Sequence, residues 1–167
     1  NNISKKRVLV LGAGVSGIGA AKLAKFLGAN VFISDINKNS KIKKILTNEK
    51  ISFELGQHSE ECLYTDLAII SPGINPSNEI IDEIKNKKIP IVSEIEFASW
   101  FTNNPIIGIT GSNGKSTVVK IVNNIFLKKY KNSLIGGNIG ISFSENILKE
   151  KINKLNNVIH ILEISSF

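Results

Sequence analysis

Residues 7–17 read RVLVLGAGVSG, and this stretch decides the class of fold that the sequence predicts. The run RVLVL is typical of a buried strand, and a helical pattern begins at Ser16. Gly12, Gly14 and Gly17 lie between the two, where glycine allows a tight turn and brings N–H groups at a helix N-terminus close to a phosphate. The stretch favours a dinucleotide-type phosphate loop over a tight turn without a ligand. Asp35 ends the next strand, where it could accept hydrogen bonds from ribose hydroxyls.

Apolar runs and amphipathic stretches alternate along the rest of the chain. The predicted strands are RVLVL (7–11), NVFIS (30–34), ISFEL (51–55), DLAIIS (66–71), IPIVS (89–93), PIIGIT (105–110), NSLIG (132–136) and VIHILEIS (158–165). The predicted helices cover residues 16–28, 41–48, 78–87, 94–101, 115–129 and 142–151. This alternation predicts the α/β class, with parallel strands covered by helices on both faces.

The turn TNNP at 102–105 separates the helix that carries Trp100 from a new strand. We therefore predict two domains, residues 1–93 and residues 94–167, with the helix at the start of the second. Trp100 is interpreted as a packing residue between them.

The composition limits the possible partners. The net charge is +7, but Arg7 is the single arginine, and arginine is the preferred residue for contacts to bases and phosphates. We therefore expect no nucleic-acid partner. No apolar run is long enough to span a membrane, so we expect a cytoplasmic protein with no membrane partner. Cys62 is the single cysteine, which excludes an internal disulfide, and the sequence offers it no evident metal-binding partner.

A second glycine-rich segment, GITGSNGKST at 108–117, follows a predicted strand and precedes a predicted helix. In a phosphate-binding loop of this kind, backbone N–H groups surround phosphate oxygens, the lysine neutralises charge and the following hydroxyl binds magnesium. The pattern departs from G-x-x-x-x-G-K, because Ile109 stands where the first glycine is expected, and glycines lie at 108 and 111 instead.

This departure matches a known family. The loop resembles the T-G-x-N-G-K-[ST] segment of the Mur ligases, which use ATP to join amino acids to a UDP-linked muramoyl precursor. The segments SPGI (71–74), GGNIG (136–140) and LEISSF (162–167) also resemble this family, most of all its members that add D-glutamate. The resemblance runs over all 167 residues. It implies a Rossmann-like domain that holds UDP rather than a nicotinamide, followed by the start of a P-loop α/β domain that binds ATP.

The resemblance also implies site residues. For ATP these are Gly111, Ser112, Asn113, Gly114, Lys115, Ser116 and Thr117. For the UDP substrate they are Gly14, Val15, Ser16, Asp35, Ile36, Asn37, Gly73 and Asn138. Catalytic roles are expected for Lys115 and Glu163. Mg²⁺ is expected at Ser116 and Glu163. The ion would balance the charge of the Glu163 carboxylate, which lies in an apolar strand. His160 is expected to be a core residue, and His58 is expected in a surface loop.

The implied reaction belongs to peptidoglycan precursor synthesis. ATP phosphorylates the terminal carboxylate of UDP-N-acetylmuramoyl-L-alanine, and the amine of D-glutamate then displaces phosphate from the acyl phosphate. Three alternatives remain open: another Mur ligase, an NAD-dependent oxidoreductase and a non-catalytic nucleotide-binding module. An oxidoreductase would leave the segment GSNGKST unexplained.

The sequence stops at Phe167, directly after a predicted strand. We therefore expect an incomplete second domain that is inactive on its own, within a full-length protein that is a monomer. We also expect Ile161, Ile164 and Phe167 to be partly exposed at an unpaired sheet edge.

Overall fold

The computed structural model describes residues 2–75 and 77–165. Within these residues the strands are β1 (Arg7–Leu11), β2 (Asn30–Asp35), β3 (Ser52–Leu55), β4 (Leu67–Ile70), β5 (Ile91–Ser93), β6 (Ile106–Ile109), β7 (Asn132–Gly137) and β8 (Val158–Glu163). The helices are α1 (Val15–Phe26), α2 (Ser40–Asn48), α3 (Glu79–Asn86), α4 (Glu94–Ser99), α5 (Lys115–Phe126) and α6 (Phe143–Ile152), with a 3₁₀ turn at Glu60–Leu63. Each predicted strand and helix is present, with small shifts at the ends. The α/β prediction is confirmed.

The first sheet is parallel and has the strand order β3-β2-β1-β4-β5. Successive residues of β1 point to opposite faces, as the two-residue period of a strand requires. Val8 and Val10 pack with α1 and α2, whereas Leu9 and Leu11 pack with Cys62 and α3. The sheet is therefore covered on both faces, as predicted.

The second sheet is also parallel and has the order β6-β8-β7, so the last strand in sequence lies in the middle. For this reason the expected exposure of Ile161 is wrong: its side chain is fully buried. Ile164 is half-buried and packs against the core, and Phe167 lies outside the described residues. Exposed apolar side chains of this unit include Ile106 of β6 and Val118, Ile121 and Ile125 of α5.

A single apolar cluster joins the two sheets. Ala20 and Ala24 of α1, Phe97 of α4, and Phe143 and Ile147 of α6 are all fully buried in it. Trp100 packs at its margin, with its ring edge-on to Phe97. The division into domains 1–93 and 94–167 stays a prediction, because this core contains residues from both sides of the boundary.

His160 is a core residue, as predicted. It is fully buried, and its ring lies edge-on to Phe143 with the centroids 5.2 Å apart. Its Nε2 lies 2.7 Å from Glu150 Oε2, and Glu150 also accepts hydrogen bonds from Thr102 and Asn104. Burial lowers the pKa of His160, and the neighbouring Glu150 carboxylate offsets part of that effect. This network fixes the TNNP turn against α6 and β8.

Glu94 connects α4 to α6. Its side chain is buried, and its Oε1 accepts a hydrogen bond of 2.6 Å from the backbone N–H of Ser144 in the first turn of α6. Burial raises the pKa of this carboxyl, although the hydrogen bonds from Ser144 act in the opposite direction. Glu94 therefore fixes the start of α6 against the helix that follows the first sheet.

Within the described residues, no helix combines the length and the apolar character that a membrane crossing needs.

We predict that Glu94→Ala lowers the free energy of unfolding by about 1–3 kcal/mol, because the buried Ser144 N–H loses its acceptor. Glu94→Gln keeps an acceptor oxygen and should be no less stable than the wild type at pH 8. A raised folded-state pKa means that the contribution of Glu94 is fully present below pH 4.5 and is lost as the pH rises through the folded pKa. Urea unfolding of the wild type and of both variants at pH 5 and pH 8 measures how the contribution of Glu94 to stability changes with pH. Equal losses in both variants at both pH values would contradict the assignment.

Candidate functional site

A cleft of about 450 Å³ opens where the carboxyl ends of β1, β2 and β4 face the loop after β7. Its lining residues are Gly12, Gly14, Val15, Ser16, Asp35, Asn37, Ser71, Pro72, Gly73, Ile74, Gly137, Asn138 and Gly140. Of the residues predicted to contact the UDP substrate, all but Ile36 line this cleft. Ser71 and Ile74, which belong with Gly73 to the segment SPGI, also line the cleft, although no role is predicted for them from the sequence.

Ile36 lies on the rim of the cleft between two of its lining residues. Its side chain is 55% exposed and does not line the cavity. Isoleucine has no polar side-chain atom to offer a ligand. A hydrogen bond from Ile36 to a ligand could therefore come only from its backbone.

The glycine loop after β1 is fixed by its neighbours. The N–H of Gly12 donates to the Ser34 carbonyl at 2.9 Å, and Ser71 Oγ donates to the Gly12 carbonyl at 3.2 Å. Gly17 must be glycine, since a Cβ there would lie 1.8 Å from the Gly12 carbonyl oxygen. Gly17 therefore allows α1 to pack directly against the turn.

Asp35 ties two loops together, a role that the sequence did not predict. Its carboxylate is buried; Oδ2 accepts from the Ala13 N–H at 2.7 Å, and Oδ1 accepts from the Asn37 N–H at 2.8 Å. The carboxylate thus holds the glycine loop and the turn after β2 in one arrangement. It still lines the cleft, so a contact with a ligand remains geometrically open to it.

Two helices begin without a side-chain cap, and both follow a glycine loop. In the described part of the chain, α2, α3, α4 and α6 are capped by Asn39, Asn78, Ser93 and Ser142. By contrast, α1 and α5 start after Gly14 and Gly114, which have no side chain to accept their first N–H groups. Neither helix has an acidic residue in its first turn. The free N–H groups at both N-termini can therefore donate hydrogen bonds to the oxygens of an anion.

The predicted ATP residues 111–117 lie in the second loop, which connects β6 to α5, and in the first turn of α5. Gly114 has φ +76° and precedes the first helical residue, Lys115. The Lys115 ammonium donates to the Gly111 carbonyl at 2.7 Å and so lies folded back over the loop. The side chains of Ser112, Asn113, Ser116 and Thr117 are exposed. The loop therefore presents a lysine and several polar groups around an open helix N-terminus.

Ser116 and Glu163 meet across the second sheet. Ser116 Oγ donates to Glu163 Oε2 at 2.5 Å, and Glu163 is buried at the end of β8. A hydroxyl and a carboxylate at this spacing match the oxygen ligands that Mg²⁺ prefers. The two residues that the sequence predicted for Mg²⁺ are brought together and fit the ion.

The loop after β7 links both regions through Glu163. The Asn138 N–H donates to the Glu163 carbonyl at 2.9 Å, and Gly137 has φ +92°. A Cβ at Gly137 would lie 2.3 Å from that same carbonyl oxygen, so a larger residue would push the loop away. Glu163 therefore contacts the first turn of α5, at Ser116, through its side chain. Through its backbone it contacts the loop after β7, at Asn138.

Parallel sheets with two uncapped helix N-termini at glycine loops define the class of α/β protein to which the chain belongs. Comparison with known proteins places the chain within it: the family described as "Mur ligase MurD-like, N-terminal domain" matches residues 6–93. The chain belongs to this MurD-like group of the Mur ligase family.

Similar proteins extend over nearly the whole chain. The UDP-N-acetylmuramoylalanine--D-glutamate ligase of Christiangramia forsetii is 43% identical over 164 residues, which are 97% of this chain and 36% of that protein. The protein of the same name from Bacteroides fragilis is 41% identical with the same coverage. A murein peptide ligase from Psychrobacter arcticus has a similar fold, with a TM-score of 0.62 and 19% identity over 95% of this chain and 37% of that chain. The chain thus spans about a third of the length of these relatives.

We predict that Gly17→Ala lowers the free energy of unfolding by about 1–3 kcal/mol, because the added methyl group would overlap the Gly12 carbonyl. Gly14→Ala is the matched control: no atom lies within 4 Å of its added Cβ, and its φ of −72° suits alanine. Chemical unfolding of both variants measures the difference. Equal stability of the two would mean that α1 and the turn can separate at no cost.

Proposed function

We propose that this chain provides the UDP-substrate site and the first part of the ATP site of a ligase. That ligase would act in the cytoplasm and add D-glutamate to UDP-N-acetylmuramoyl-L-alanine, forming ADP and phosphate. The relatives that cover the chain carry the name of this enzyme. The observation that carries the proposal is Glu163, which contacts the P-loop on one side and the cleft loop on the other.

The cleft suits the UDP end of the substrate. The open N-terminus of α1, at Val15 and Ser16, would bind the diphosphate, while Asp35 and Asn37 would lie beside uridine. Asn138, on the opposite wall, would contact the muramoyl part. A ligand in this cleft would therefore touch residues that belong to both sheets.

The P-loop suits the triphosphate of ATP. Lys115 would leave the Gly111 carbonyl and pair with the β- and γ-phosphates, which are stronger acceptors because they are charged. Ser116 and Glu163 would hold Mg²⁺, which neutralises phosphate charge when bound. The protein contributes position and charge, as it does in phosphoryl transfer generally.

The reaction has two steps. A carboxylate oxygen of the substrate attacks the γ-phosphorus, the bond to ADP breaks, and an acyl phosphate forms. The amine of D-glutamate then attacks the acyl carbon, phosphate leaves, and the nitrogen gives up a proton. Because the Asn138 N–H is bonded to the Glu163 carbonyl, the cleft wall and the metal site cannot move apart independently. This coupling would hold the carboxylate close to the γ-phosphate.

An oxidoreductase gives the second loop no role. Neither the open N-terminus of α5 nor the pair of Ser116 and Glu163 is needed to bind a dinucleotide in the first sheet. The ligase accounts for both loops.

In the full-length protein, Lys115→Ala should lower kcat/KM for ATP-dependent ligation by at least about a hundredfold, because no other side chain in the loop supplies a positive charge to the phosphates. Lys120→Ala, on an exposed part of α5, is the control and should leave turnover unchanged. Release of phosphate with D-glutamate present provides the assay. Wild-type turnover in Lys115→Ala would refute the P-loop assignment.

Asn138→Ala should raise the KM for the UDP substrate about tenfold, because it removes one hydrogen bond to that substrate. The KM for ATP should stay unchanged. The backbone bond from residue 138 to Glu163 is retained in this variant, so the loop should keep its position. Asn86→Ala, exposed at the end of α3, is the control. Steady-state kinetics with each substrate varied in turn separates the two effects. An equal rise in both KM values would point to a disturbed Glu163 rather than a lost substrate contact.

A further inference from the structure

Three side chains with metal-binding atoms meet outside the proposed active site. Glu54 lies in β3, His58 lies in the following loop, and Cys62 belongs to the 3₁₀ turn. Their carboxylate oxygen, ring nitrogen and sulfur atoms all lie within 4.8 Å of one another. His58 lies in a loop, as predicted, although its side chain is partly buried. That Glu54 and His58 offer ligand atoms close to Cys62 was not predicted from the sequence. The residues are four apart along the chain, and only the turn after β3 brings them together.

Three hydrogen bonds of this cluster are accepted by one oxygen atom, Glu54 Oε1. Glu54 Oε1 accepts from Ser34 Oγ at 2.7 Å, from the Ser59 N–H at 2.9 Å and from Cys62 Sγ at 3.2 Å. Ser34 Oγ also lies 2.7 Å from His58 Nδ1. Since the single hydroxyl proton of Ser34 is directed to Glu54, the arrangement is consistent when His58 Nδ1 carries a proton and donates to Ser34.

That tautomer leaves His58 Nε2 with a free lone pair. The atom is buried and has no hydrogen-bond partner among residues 2–75 and 77–165. An unpartnered buried nitrogen is costly, and it needs an explanation such as an ion. The described contacts place Nδ1 on Ser34 and leave Nε2 as the ring nitrogen available to an ion.

The donor set identifies the class of ion. Sulfur excludes Mg²⁺ and Ca²⁺, which prefer oxygen, whereas mixed sulfur, nitrogen and oxygen ligands suit Zn²⁺. Bond lengths of about 2.0–2.3 Å place neighbouring ligand atoms of tetrahedral zinc roughly 3.3–3.7 Å apart. The cluster therefore needs small side-chain rotations to surround the ion.

A reactive thiol is the competing role for Cys62. Burial raises the pKa of the Cys62 thiol to about 12, and the carboxylate of Glu54 acts in the same direction. Both a nucleophile and a zinc ligand need the thiolate, so this pKa does not separate the two roles, but a nucleophile also needs an exposed sulfur. Cys62 is fully buried. The geometry therefore favours a metal ligand over a nucleophile.

We propose that Glu54, His58 and Cys62 form a structural Zn²⁺ site, with water as the fourth ligand. On binding, a zinc–sulfur bond forms, the S–H bond breaks, and the thiol proton goes to solvent. The site would fix the segment 56–62 against β2 and β3. This segment also supports the substrate cleft, because the Gly56 N–H donates to the Asp35 carbonyl at 2.7 Å.

The test is a titration of the purified protein with Co²⁺, which replaces Zn²⁺ in tetrahedral sites and absorbs light. We expect one equivalent to produce a thiolate-to-cobalt charge-transfer band and the visible bands of tetrahedral cobalt, both removed by Zn²⁺. Cys62→Ser should abolish the charge-transfer band, since the chain has one cysteine. Glu54→Gln and His58→Gln should weaken Co²⁺ binding by about tenfold or more. Glu61→Gln, an exposed carboxylate on the same 3₁₀ turn, is the matched control and should bind as the wild type does.

Thermal melting provides a second readout that does not depend on cobalt. Zn²⁺ should raise the melting temperature of the wild type and of Glu61→Gln by mass action, but not that of His58→Gln. The proposal is overturned if saturating Co²⁺ gives no charge-transfer band. It is also overturned if Glu54→Gln and His58→Gln, folded by circular dichroism, bind Co²⁺ as tightly as the wild type. In either case the cluster is a hydrogen-bond network only.

Discussion

The packing of α1 against α6 is the contact on which the rest of this structure depends. Ala20 and Ala24 give α1 a face of small side chains, and Phe143 and Ile147 of α6 fill the space beside it. Because α1 begins at the first glycine loop and α6 follows the loop that carries Asn138, this contact brings the two loops to one cleft. Burial of these apolar side chains therefore both stabilises the fold and positions the two loops at the cleft.

Buried carboxylates complete what the apolar packing begins. Asp35 joins the glycine loop to the turn after β2, Glu94 fixes the start of α6, and Glu163 accepts from Ser116 of the P-loop. A buried carboxylate is costly without donors, so each one holds its partner groups firmly. Loops without regular hydrogen bonds thereby gain defined positions at the edge of each sheet.

The end of β2 lies beside both proposed sites because neighbouring residues of a strand point to opposite faces. Asp35 faces the glycine loop, whereas Ser34 faces Glu54, His58 and Cys62. A zinc ion on one face would therefore act on the cleft through a single residue step along the backbone. A bound zinc ion would thereby hold the segment after β3 in a fixed position.

The sequence by itself determined the strands, the helices and the two glycine loops. These follow from local patterns, because residue period and glycine content set local structure. The pairing of Ser116 with Glu163 was predicted only through the resemblance to the Mur ligases. Tertiary structure alone decided that β8 lies between β6 and β7, which buries Ile161, and that Asp35 bonds to Ala13. It also brought His58 and Cys62 to Glu54. Strand order and contacts between loops depend on how distant segments pack, and no short pattern in the sequence records that packing.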